Sequence, residues 1–290
     1  MTILEQLATH SGFFYTIIFI LGLLIGSFLN VVIYRLPRML DREWSTECKK
    51  FLKLKDDEKQ EPFNLSLPRS HCPHCKANIP GWRNIPVVSY LLQAGKCHQC
   101  GTAIAARYPL VELMTALLSL FLAWHYGAAP QLIPALFFSW ALIALFVIDL
   151  QHQLLPDQIT LPLLWSGLIF NIQDTFSSLE MAVLGAMLGY LSLWMIYQAY
   201  RLLRGKHGFG YGDFKLLAAI GAWTGWPGIP LVILLSSLSG AIVGILLILF
   251  AKHQYDKPIP FGPYLALAGL ISLLWGDAII QAYFHYLGLE

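Results

Sequence analysis

Gly208-Phe209-Gly210-Tyr211-Gly212-Asp213 is a run of alternating glycines that ends in an acid, just where an apolar segment begins. Glycines let a backbone adopt positive φ and approach another chain closely, as a cleft for extended peptide requires. An ionisable residue at the edge of a membrane segment is costly and marks function by default. A second acid, Asp149, closes another apolar segment, Ala135 to Ile148. Two such acids from two helices suggest a carboxylate pair, and a carboxylate pair can hydrolyse peptide bonds.

The rest of the chain fits a membrane setting. Of its 290 residues, 57% are apolar and only 12% charged, with a mean hydropathy of +0.59. A soluble domain carries about 25% charged residues. Eight apolar segments follow from the pattern, with seven possible: Phe13–Tyr34, Tyr108–His125, Leu132–Asp149, Gln158–Ile172, Leu179–Tyr200, Asp213–Trp226, Ile229–Phe250 and Phe261–His285. The fourth and sixth are short for a full span and are expected to tilt little or to lie where protein covers their ends. The fold expected is therefore an all-α polytopic membrane protein.

Charge sets an expected orientation. No Lys or Arg precedes Arg35, so the first segment is read as an anchor and not as a secretory signal. Between Arg35 and Arg107 lie 13 of the 19 basic residues against seven acids. The positive-inside rule then puts the N-terminus outside and this loop in the cytoplasm. With eight spans all the basic residues fall on the cytoplasmic side, and Asp149 and Asp213 share that face. Within the loop, Asp41 to Pro62 is charged and reads as a solvated insertion, helical or mobile. The net charge of +2 carries no argument for nucleic acid, and no such partner is expected.

Cys72-Pro73-His74-Cys75 and Cys97-His98-Gln99-Cys100 are two CxxC pairs separated by 21 residues. Each pair can chelate one edge of a tetrahedron, and four thiolates close a structural zinc site without an open position. Gly95 and Gly101 flank the second pair as tight knuckle turns require. Two disulfides are the alternative, disfavoured in a reducing cytoplasm. His71, His74 and His98 are alternative ligands, and Cys48 is left as an ordinary thiol. No internal repeat is visible. Gly185/Gly189, Gly221/Gly225 and Gly240/Gly244 read as small-residue faces for helix packing within the chain.

In the acid pair, one carboxylate takes a proton from water and the protonated partner donates to the scissile carbonyl oxygen. Each acid also has an ordinary reading: Asp149 as a helix-end residue or counter-ion, Asp213 as an N-cap. Asp157, in Leu154-Leu155-Pro156-Asp157, reads as the cap of the fourth helix, and Glu112 and Asp277 are weaker candidates. A transporter with an acid relay, or a non-catalytic scaffold, would be the rival functions.

The ordered set Gly26-Ser27-Phe28-Leu29-Asn30 through Arg35-Leu36-Pro37, the cysteines, Trp82-Arg83-Asn84-Ile85-Pro86, Arg107-Tyr108-Pro109-Leu110-Val111-Glu112, Asp149, Leu155-Pro156-Asp157 and Gly208–Asp213 resembles the type IV prepilin peptidases. These are bifunctional leader peptidase/N-methyltransferases, and their Gly-x-Gly-Asp element is shared with the wider GxGD membrane aspartyl proteases. The resemblance implies catalytic Asp149 and Asp213 in an aspartic endopeptidase of the bacterial inner membrane. It implies type IV prepilin and type II secretion pseudopilin substrates, whose basic leader is cut on the cytoplasmic side. It also implies N-methylation of the new terminus from S-adenosylmethionine, an activity associated with the cysteine loop. No glycine fingerprint for that donor is visible, so its binding residues stay unassigned; it is expected to sit where the loop meets the membrane face near the acids. The domains expected are residues 1–34, a first span; 35–107, a zinc-knuckle domain; and 108–290, a seven-helix peptidase domain.

Overall fold

In the computed structural model, residues 11–54, 62–205, 210–251 and 259–288 are described. Gly208 and Phe209 of the glycine run, part of the charged insertion, and Lys206, Lys252 and Lys257 lie outside them. The described residues are helical apart from two isolated β-bridges and the loops. The helices are α1 (Ser11–Phe51), α2 (Val88–Leu92), α3 (Arg107–Tyr126), α4 (Leu132–His152), α5 (Asp157–Asn171), α6 (Leu179–Arg204), α7 (Tyr211–Thr224), α8 (Gly228–Ala251) and α9 (Gly262–Leu287). All eight apolar segments are found as helices, and α1, α3, α4, α6, α8 and α9 are long and apolar enough to cross a membrane.

The two remaining helices, α5 and α7, have 15 and 14 residues. At 1.5 Å per residue each covers roughly 20 Å, short of a hydrocarbon layer of about 30 Å. Their ends must therefore be satisfied by protein, and they are. Asn171, fully buried at the end of α5, donates to the carbonyls of Ala222 (2.9 Å) and Trp223 (3.2 Å), which the last turn of α7 leaves free. Its oxygen accepts from the N–H groups of Phe176 and Ser177. The Trp223 indole donates to the Leu163 carbonyl at 2.8 Å.

The first helix corrects the sequence reading. It does not stop at Tyr34 but continues through Pro37 to Phe51, taking in the first part of the charged insertion. Hydropathy locates the membrane boundary; helix propensity carries the chain on into water, where Leu, Arg, Glu and Lys are good helix formers.

Two compact units divide the chain, Met1–Trp140 and Ala141–Glu290. In the first, α1 packs on α3 through Gly22 and Gly26. A Cβ at either position would stand 2.6 Å from Ala116 Cα or 2.7 Å from Glu112 Cα. In the second, α7 is the central helix, with α5, α6, α8 and α9 around it. From Phe214 to Trp223 all but Lys215 are buried. Gly185 of α6 faces Gly221 of α7 backbone to backbone, and a Cβ at Gly189 would lie 2.6 Å from the Leu217 carbonyl oxygen. The third small-residue pair behaves differently. Cβ atoms at Gly240 and Gly244 would meet Tyr264 and Ile259 side chains at 3.4 and 3.5 Å, ordinary contact distances. Side chains, not backbone, face α8 there.

Candidate functional site

Asp149 lies in the last turn of α4 and is 5% exposed. A buried carboxylate needs hydrogen-bond donors. Its Oδ2 accepts the Gly262 N–H at 3.0 Å. Gly262 opens α9, where the first N–H groups have no partner within the helix, and Pro263 follows it. A Cβ at 262 would stand 2.7 Å from Asp149 Oδ2 and 3.1 Å from Leu155 Cδ2, so a side chain there would displace the carboxylate.

Asp213 is the third residue of α7, half-buried, with Gly210 as the N-cap. The cap role considered for Asp213 thus belongs to Gly210, and Asp213 sits in the first turn, where the helix dipole favours an acid. Leu155 packs beneath this turn, since a Cβ at Gly212 would come within 2.8 Å of Leu155 Cβ. Leu155 thereby touches the support of both acids, Gly262 that holds Asp149 and the turn that carries Asp213. Two carboxyls within hydrogen-bond reach of each other can hold one shared proton and present an ionised and a protonated oxygen to a water.

Asp157 is separate from the pair. It is the first residue of α5, after an N-cap at Pro156, so it does not cap the helix as the sequence suggested. Lys215 Nζ donates to both its oxygens at 2.7 Å, tying the head of α5 to that of α7. Gly262 is the contact that sequence reasoning missed. Its one signal is a glycine between Phe261 and Pro263 at the start of the last apolar segment.

The cysteines form two matching knuckles. β-Bridges His71–Asn78 and Lys96–Ala103 close the two loops. The Cys72 N–H donates to the Ala77 carbonyl, and the Cys97 N–H to that of Thr102. Lys76 and Gly101 take equivalent positive-φ positions, 57° and 69°. This local repeat is not visible in the sequence because Lys76 stands where its counterpart is glycine. All four Sγ atoms lie within 4.8 Å of one another, Cys72–Cys100 at 3.8 Å and Cys75–Cys97 at 4.0 Å. A tetrahedron with Zn–S bonds of 2.3 Å has edges of about 3.8 Å. The set fits a structural zinc, and none of the four is in a disulfide. Thr102 Oγ1 lies 3.2 Å from Cys100 Sγ and gives that sulfur a polar neighbour.

In the first unit, polar side chains tie the two packed helices to the loop and to each other. Arg35 is buried and donates to the carbonyls of Asn64 (2.9 Å) and Pro68 (2.6 Å). Asn30 donates to the Tyr108 carbonyl at 2.9 Å. Glu112, 8% exposed, accepts the Val87 N–H at 2.7 Å. Its place inside an apolar segment pointed to no such use.

Six apolar spans, a four-thiolate centre and acids at two helix ends define a multi-pass membrane protein with the elements of an aspartyl hydrolase. The Bacterial Peptidase A24 N-terminal domain matches residues 20–126, and the Type IV leader peptidase family matches residues 136–245. A prepilin leader peptidase/N-methyltransferase of Pseudomonas aeruginosa is 52% identical over 290 residues, the whole of both chains. One of Aeromonas hydrophila is 54% identical over 98% of each chain, and one of Legionella pneumophila 46% over 96%. No solved structure matches. The chain belongs to the prepilin leader peptidase/N-methyltransferase family.

Proposed function

We propose that this protein cuts the leader from type IV prepilins and type II secretion pseudopilins, with Asp149 and Asp213 as the catalytic pair. It then methylates the new N-terminal amine. One carboxylate accepts a proton from water, the water attacks the scissile carbonyl, and the protonated carboxyl donates to that oxygen; on collapse the C–N bond breaks, the first carboxyl passes its proton to the leaving nitrogen and the second takes one back from a hydroxyl. S-Adenosylmethionine, when bound, supplies the methyl group that replaces an amine proton. The observation that carries the reading is that Leu155 packs against both Gly262, which holds Asp149, and Gly212, which precedes Asp213, in a chain about half identical from end to end to enzymes of that name. A proton-relay transporter would place its acids near mid-span. Here Asp149 is three residues from the end of α4 and Asp213 two from the start of α7.

The protein belongs to the inner membrane. Its orientation follows from charge: N-terminus outside, zinc loop and acids on the cytoplasmic side, where a leader rich in basic residues waits. By this reading residues 35–107 serve methylation together with the parts of α1 and α3 that hold them, the helices that carry the acids serve cleavage, and zinc shapes the loop. The test is prepilin cleavage in detergent by Asp149→Asn and Asp213→Asn. Each is expected to lose at least about a thousandfold, roughly 4 kcal/mol of transition-state stabilisation, with the fold retained. Full activity in either variant would remove that residue from the pair.

A further inference from the structure

The first unit forms an open-mouthed cavity of about 800 Å³ that no part of the cleavage reaction uses. Small-molecule sites run from roughly 300 to 1,000 Å³. Its walls are α1, α3, the loop at 82–87 and the inner sides of both knuckles, where Cys72 and Cys97 reach its surface.

The lining combines three chemistries. Aromatic faces come from Tyr34, Trp82 and Tyr108. Each carries an arginine: Arg38 Cζ is 3.7 Å from the Tyr34 ring centroid, Arg83 4.4 Å from Trp82 and Arg107 5.0 Å from Tyr108. Against this basic rim stands one buried acid, Glu112, with Ser27 and Asn30 beside it. A cationic leader peptide does not suit such a rim. A ligand carrying a flat heterocycle, a carboxylate and a cationic centre suits all three features.

A second observation marks the same wall as built. Val87 has φ 59° and ψ −48°, and the Val88 N–H donates to the Pro86 carbonyl at 2.6 Å. This is a γ-turn of the rare positive-φ hand, at a β-branched residue that disfavours it. The Glu112 carboxylate holds the turn through the Val87 N–H. Backbone held against its preference gathers at ligand sites.

We propose that this cavity is the site of S-adenosylmethionine. The aromatic faces take the adenine, the arginine rim the carboxylate, and Glu112 faces the cationic sulfonium while positioning the 84–88 loop. The zinc knuckles form a wall of the same site, which gives the metal a structural part in methylation. The inference rests on the methyltransferase reading above.

The test uses full-length protein in detergent and tritiated S-adenosylmethionine, with equilibrium binding and ultraviolet cross-linking. Trp82 is 65% exposed, so Trp82→Ala removes a wall without opening the core. Glu112→Gln keeps the shape and removes the charge. Both are expected to weaken binding at least tenfold, Leu91→Ala outside the cavity to leave it unchanged, and the label to map within residues 27–38 or 78–112. Zinc content and melting temperature of each preparation report whether the fold is kept. Undiminished binding by both folded cavity variants, or label mapped within residues 141–290, would overturn the site while leaving the methyltransferase reading in place. Wild-type protein that neither binds the donor nor methylates a pre-cleaved pilin would overturn both.

Discussion

The two units place their polar groups by opposite means. In the second, helices meet so closely that a side chain at 185, 189 or 221 would run into backbone, and one at 212 or 262 would displace Leu155 or the Asp149 carboxylate. In the first, little of the region between α1 and α3 is helical. Its loops are held by two metal knuckles and by single side chains, Arg35 and Glu112, reaching from the helices. A site made by packing tolerates no added atom. A site made by tethers tolerates substitution between the tethers and fails when a tether is cut. The two reactions should therefore answer differently to the same kind of mutation.

The largest contrast after the acids themselves is expected at Gly262. Gly262→Ala puts a methyl group against the Asp149 carboxylate, and a displacement of even 1 Å at reacting groups can cost about a hundredfold. Cleavage by this variant should fall by about that factor, and methylation of a pre-cleaved pilin should not follow it down. Near-normal cleavage would show that the first turn of α9 yields, contrary to the rigid reading.

The knuckles provide the converse. Purified protein should hold about one zinc per chain, and Cys72→Ser or Cys100→Ser should lower that content and weaken methylation more than cleavage. Metal analysis of protein prepared without chelator decides the first point, and paired assays the second. Equal loss of both activities would mean that the zinc centre supports the whole molecule, and the contrast would dissolve.

The smallest effect belongs to Asp157→Asn. The Asp157–Lys215 pair is partly exposed, with side chains 49% and 31% accessible, and such pairs contribute about 0–1 kcal/mol. Cleavage within fivefold of wild type is expected. A loss as large as that of the acid pair would make Asp157 a third partner in the chemistry.

Much of this organisation was legible in the chain. Apolar runs marked all eight helices because hydrocarbon imposes a length, and the shortness of α5 and α7 gave away that protein would cover them. Spacing marked the four thiolates because a tetrahedron imposes one. Other features left no such mark. Gly262 matters only because α9 begins where α4 ends in space, 113 residues away in sequence. The cavity joins Tyr34, Trp82 and Glu112, none of which is unusual alone. The end of α1 was misplaced because the membrane boundary and the helix end are set by different forces.

The central claim is that the acid pair cuts and the tethered unit methylates. It is tested most directly by supplying a pre-cleaved pilin and S-adenosylmethionine to folded, zinc-loaded Asp149→Asn protein and measuring methyl incorporation. The account predicts incorporation close to that of wild type from a protein that no longer cleaves prepilin. Loss of methylation along with cleavage would show that both reactions depend on the acids, and would contradict it.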